Sequence, residues 1–180
     1  ALIPVTAPEN RDGNRSNYMT WGLIQLPGND TQYSVYATEA YYTGPDSRVR
    51  RFTYRVDGFV SVRASAAGGQ LVTKPLRFAG SKLTINAATA AGGRIRVAIE
   101  DSDGLPVDGL TLSDCQPFRG DAIEHTMTWT GGSHVGSQAG TPIRLRFTRP
   151  LRTAQGEFTE RASVLLALYD VDGCAGYGEA

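Results

Sequence analysis

The chain has 180 residues, 41% of them hydrophobic, which is one domain's worth of sequence or a domain with a short additional piece. Eighteen Lys and Arg against eighteen Asp and Glu leave no formal net charge, so the long-range field that a general nucleic-acid or anionic-membrane binder relies on is missing, and no run of eighteen apolar residues exists to make a spanning helix. Glycine, at 21 of 180, is well above the usual ~7% while apolar residues stay plentiful, which predicts many turns between short strands.

Residues 1–17 are polar, carry Pro4, Pro8 and Gly13, and read as an arm or linker. They lack the basic and apolar regions of a signal peptide, so an exported form would have lost its signal already. Met19–Leu26 and Gln32–Glu39 are β-rich runs joined by Pro27-Gly28-Asn29-Asp30, the pattern of a hairpin. Gly44-Pro45-Asp46 breaks the chain before Val49–Val56, where Phe52, Tyr54 and Val56 alternate with Thr53 and Arg55. Phe59–Ala64, Gly69–Phe78 and Lys82–Ala88 follow as strands punctuated by Ala and Gly. Arg94–Glu100 then alternates Arg with Ile and Val and runs into the turn sequence Asp101-Ser102-Asp103-Gly104. Ala122–Trp129 places Ile123, His125, Met127 and Trp129 on one face, Pro142–Thr148 alternates Ile143, Leu145 and Phe147 with arginines, and Ala162–Tyr169 is an apolar run suited to a central strand. Helical spacing is not sustained anywhere. The expectation is an all-β chain: an antiparallel two-sheet β-sandwich of jelly-roll or concanavalin-like type over 57–180, preceded by a β-hairpin segment over 18–56.

Several phrases carry a family resemblance: Arg55-Val-Asp-Gly-Phe-Val-Ser61, Gly69-Gln-Leu-Val-Thr-Lys-Pro-Leu76, Leu83-Thr-Ile-Asn86, Gly93-Arg-Ile-Arg-Val97, Glu100-Asp-Ser-Asp-Gly104, Leu112-Ser-Asp-Cys115 and Ala139-Gly-Thr-Pro-Ile-Arg-Leu-Arg-Phe147. Over residues 18–150 the chain resembles the C-terminal β-sandwich module, with the last propeller-like strands, of large bacterial predicted glycoside hydrolases of the invertase-like, β-fructosidase-like β-propeller class. Thr148–Arg161 and the ending Leu168–Cys174 depart from that pattern. The catalytic carboxylates of the class sit in early blades, which this sequence does not contain. The resemblance therefore implies a non-catalytic accessory module of a secreted or periplasmic polysaccharide-degrading enzyme, with a β-propeller catalytic domain as a partner.

A polysaccharide or oligosaccharide ligand asks for flat rings beside polar groups, because a pyranose presents C–H groups on its face and hydroxyls at its rim. Trp21, Tyr33, Tyr36, Tyr41, Tyr42 and Trp129 are the candidates, and sixteen of the eighteen cations are Arg, whose planar fork suits a polyuronate or sulfated sugar. The paired carboxylates Asp101/Asp103 and Asp170/Asp172 are candidate Ca²⁺ ligands. The alternative is a small stand-alone glycosidase or polysaccharide lyase using a carboxylate pair or a Tyr/His/Arg group. Its candidate acids are Glu39, Asp57, Glu100, Asp101, Asp103, Asp114, Asp121 and Glu124. No GxSxG is present, and His125 and His134 show no metal-ligand spacing with Cys115 and Cys174. Those two cysteines either bridge the tail to the middle of the chain or remain thiols.

Overall fold

A computed structural model describes Ile3, residues 17–39, 47–64 and 67–149, and the backbone of Ala162–Leu165. Among these the chain is built from antiparallel strands, with a single 3-10 turn, Gly136–Gln138, as its helical content. It divides into two compact units, Ala1–Val60 and Ser61–Ala180, each with its own buried cluster; the sequence predicts the division between Val56 and Asp57.

The first unit is a sheet centred on β3 (Gln32–Glu39). One edge of β3 pairs along its whole length with β4 (Arg48–Arg55). The other edge takes two short strands, β1 (Tyr18–Met19) opposite Thr38 and Ala37, and β2 (Ile24–Gln25) opposite Ser34 and Tyr33. The continuous strand expected over Met19–Leu26 is thus broken at 20–23. Gly22 there has φ +86°, a left-handed conformation that β-ladder pairing does not use. The hairpin between β2 and β3 closes as expected, with Asn29 N–H donating to Leu26 O at 3.0 Å.

Because partners across a ladder share a face, register sorts every side chain of this sheet. Val35, Ala37, Phe52 and Tyr54 fall on one face and pack with Ile3 into the unit's core. Glu39, on the same face, is fully buried beneath Arg48 and Arg50, whose Nε atoms donate to Oε2 at 2.9 and 2.8 Å.

In the second unit β6 (Gly69–Val72), β10 (Ile143–Arg149) and β8 (Arg96–Asp101) form one sheet in that order. The other sheet runs β5 (Val62–Ala64), β11 (Ala162–Leu165), β7 (Thr84–Ala88), β9 (Asp121–Thr126). β11 is paired on both edges, the position that its apolar run predicts for a central strand. Ile85 and Ala87 from one sheet, with Val97, Ile99, Ile143, Leu145 and Phe147 from the other, belong to one buried cluster completed by Met127, Trp129 and Phe118. The alternation Ile95, Val97, Ile99 puts those side chains inside and leaves Arg94 and Arg96 half-buried on the other face. Glu100 is also buried on that face, gripped through two nitrogens by Arg146 on the neighbouring strand.

Candidate functional site

The expected site residues meet different fates, and burial decides most of them. Trp129 is 2% exposed and its indole N–H donates to Val97 O at 3.2 Å, deep in the second unit's core. It therefore has no ring face to offer a sugar, and the expectation that it binds ligand is corrected: its period-two partner Met127 is fully buried on the same inward side, whereas a register shift in β9 puts Ala122, not Ile123, against the core. His125 sits against Phe118, ring centroids 4.5 Å apart, and burial pushes its pKa below the ordinary histidine value, so it is a neutral packing residue. Cys115 is a free buried thiol whose Sγ accepts Val97 N–H at 3.3 Å; burial raises its pKa, which keeps it protonated and unreactive. Cys174 lies outside the described residues, as do Tyr41, Tyr42, Asp170 and Asp172.

Asp101 is committed to its own turn. Its Oδ1 accepts the backbone N–H groups of Asp103 and Leu105, both at 2.9 Å, while Gly104 takes φ +88° to close the turn with its N–H on Asp101 O. The DxDG spacing is accounted for by this turn geometry, and among the described residues no group of three His, Cys, Asp or Glu side chains gathers to hold a metal ion. Glu39 and Glu100, the two buried carboxylates of the described residues, both face arginines. Burial works to raise the Glu39 pKa, but hydrogen bonds from Arg50 and Arg48 prevail and hold the carboxyl below its usual range. An ionised anchor of this kind is not a proton donor poised for glycosidic chemistry. In the second unit an apolar crevice lies between Leu76, Phe78, Leu83, Val135 and Leu145, with Lys82 as its one polar lining side chain. A hydroxylated ligand would find no set of hydrogen-bond partners there.

The first unit offers a different surface. Tyr33 is half-buried and stacked on Phe59, centroids 6.2 Å apart and rings 6° from parallel, with Tyr54 tilted against the same phenyl ring at 6.1 Å. The turn into Phe59 depends on Asp57 at φ +53° and on Gly58, where a Cβ would lie 2.6 Å from that of Arg55. On the sheet face opposite the core, register groups Tyr18, Ile24, Tyr36 and Val49 with Ser34, Thr38, Arg51 and Thr53. Tyr18, Ile24 and Val49 are exposed there, and Tyr36 is half-buried. Arg51, directly across from Tyr36, lays its Nε on Ser34 Oγ at 3.0 Å. At the sheet's edge the break between β1 and β2 projects Trp21, which is 99% exposed, and is held by Thr20, whose N–H and hydroxyl both donate to Tyr36 O at 2.9 Å.

The face thus combines ring surface, hydroxyl groups and a guanidinium on a β-sheet whose other side is anchored by a core. Of the candidate aromatics, Trp21 and Tyr36 belong to this region, Tyr33 faces the core side, and Trp129 is interior. Tyr18 and Arg51 were not among the sequence candidates; their place emerges from strand register alone. No helix among the described residues is long and apolar enough to cross a membrane. Comparison of the chain with protein-family models, with curated proteins and with solved structures returns no match.

Proposed function

We propose that the chain is a non-catalytic carbohydrate-binding accessory module of a secreted or periplasmic polysaccharide-degrading protein. In this reading the second unit is a β-sandwich of jelly-roll or concanavalin-like type, and the first is the closing sheet of a β-propeller whose catalytic blades belong to a partner domain. The observation that carries it is the open face of the first unit's sheet, with the fully exposed Trp21 at its edge. A protein surface rarely presents several large apolar rings and chains together without a use for them. Here they alternate with hydroxyl side chains, the mixture that a sugar's apolar face and polar rim require. The arginine-bound state of Glu39 and Glu100 favours binding over hydrolysis.

The test is affinity electrophoresis of the full chain through gels containing a panel of polysaccharides. Retardation by at least one polysaccharide, reduced about tenfold in affinity by Trp21→Ala with unchanged thermal melting, is the expected result, since an exposed residue away from core contacts changes stability by no more than about 0.5 kcal/mol. Unretarded migration through every gel, or retardation indifferent to Trp21, would remove the reading. New reducing ends or unsaturated products from the isolated chain would replace it with an enzymatic one.

A further inference from the structure

The open face carries a charge pattern that names its ligand class. β1 to β4 hold four arginines, Arg48, Arg50, Arg51 and Arg55, against one acid, Glu39. Register puts Glu39 on the core face, where Arg48 and Arg50 already satisfy its Oε2. The open face is left with Arg51 and Arg55 and no Asp or Glu at any strand position. In a chain whose formal charge sums to zero, the strand positions of one sheet face therefore carry cations and aromatic rings among apolar and hydroxyl side chains, and no acid.

We infer that this face binds an acidic polysaccharide, one bearing carboxylate or sulfate groups, an inference that rests on the carbohydrate-binding reading above. Arg51 is the residue that selects the anion. It is exposed, and the contact its guanidinium makes among the described residues is through Nε to Ser34, which orients the fork and leaves the two terminal nitrogens as parallel donors. Tyr36 stands opposite it across the ladder, at the spacing of directly paired strand residues, so a sugar ring lying on the tyrosine presents its acidic substituent to the guanidinium. Thr38 and Thr53 supply hydroxyls to the same face, while the buried Ser34 is engaged by Arg51. A carboxylate here would repel such a ligand, and none is present at these strand positions.

Matched probes separate the charge from the sugar. Polygalacturonate and dextran sulfate are compared with fully methyl-esterified polygalacturonate and dextran in gels at low and high salt, using the full chain. The expected result is retardation by the acidic members alone, weakened by salt. Arg51→Gln should cut that affinity roughly 10–100-fold, the worth of a charge-assisted hydrogen bond, and Arg51→Lys should recover part of it by restoring the charge without the fork. Arg94→Gln, in the second unit, is the control for bulk charge. Equal retardation by acidic and neutral members, or equal losses with Arg51→Gln and Arg94→Gln, overturns the inference while leaving carbohydrate binding in place. Binding to none of the four, nor to any other polysaccharide, takes the underlying reading down with it. Melting curves of both Arg51 variants confirm that each is folded.

Discussion

Trp21 and Trp129 are the chain's two tryptophans, and their opposite environments set opposite expectations for the same substitution. Trp129→Ala removes a ring from a filled core and leaves Val97 O without its donor, so it should cost about 3–5 kcal/mol by urea denaturation. A loss under about 1 kcal/mol would show that the ring is not packed as described. Cys115 gives a second expectation at this scale. With burial raising its pKa, a Cys174→Ala variant should react with a thiol reagent at about pH 8 only after unfolding, since the thiolate is the reactive form. Rapid labelling of the native variant would contradict the buried assignment.

At the scale of elements, polar side chains pin the strands that apolar alternation merely places. Glu39 lies opposite Arg48 and two positions from Ala37, Arg50's partner, so its carboxylate locks the register of β3 against β4 at the end next to their connection. Glu100 and Arg146 do the same for β8 and β10. Glu39→Gln should cost about 1.5–3 kcal/mol, the range for hydrogen bonds to charged groups, with both arginines able to turn to water. The pH dependence follows the depressed carboxyl pKa. Its contribution is complete above the ordinary value of 4.5 and is lost as pH falls through the lower folded value. Urea melts of wild type and Glu39→Gln should therefore converge in acid; a gap of constant size down to about pH 3 would show that the carboxylate's ionisation is immaterial.

This elemental scale also shows what the sequence discloses. Gln32–Glu39 is legible to the residue because Tyr33, Val35 and Ala37 alternate with polar partners between two turn-rich segments. Met19–Leu26 reads as one strand, yet Thr20 turns both its donors to Tyr36 O and the edge breaks there. Gly22 is the sequence's sign of that break, but where the edge is held is set by a partner sixteen residues away, which propensity does not carry. Arg51 escaped notice for the same reason: its neighbours in sequence are Arg50 and Phe52, and its meeting with Tyr36 depends on a register that the 40–47 connection does not specify.

For the whole molecule, two buried clusters in two units mean that acid acts on each by a different group. His125 belongs to the second unit and is held neutral by burial, with its folded pKa below 6.5. The unfolded chain binds the proton more readily, so stability falls as pH drops through 6.5 and levels off below the folded value. Glu39, in the first unit, begins to matter only below 4.5. Urea melts stepped from about pH 7.5 to about pH 3 should lose stability in two successive stages, and His125→Phe should abolish the earlier one. Persistence of the first stage in that variant would place its origin elsewhere.

What the sequence by itself determined was the class of structure: period-two alternation and glycine-rich punctuation admit antiparallel strands and little else. It also assigned Val97, Ile99, Leu145 and Phe147 to an interior, because alternation is a local property that survives any arrangement of the strands. Which aromatics are available was decided only by tertiary structure. Trp21 and Trp129 look alike as members of β-rich runs, but one projects from a broken edge and the other is enclosed by residues from both sheets of its unit. The same holds for charge. A balanced total gives no direction, and the segregation of Glu39 to one face and Arg51 to the other arises when β4 pairs with β3 and register assigns each side chain its side.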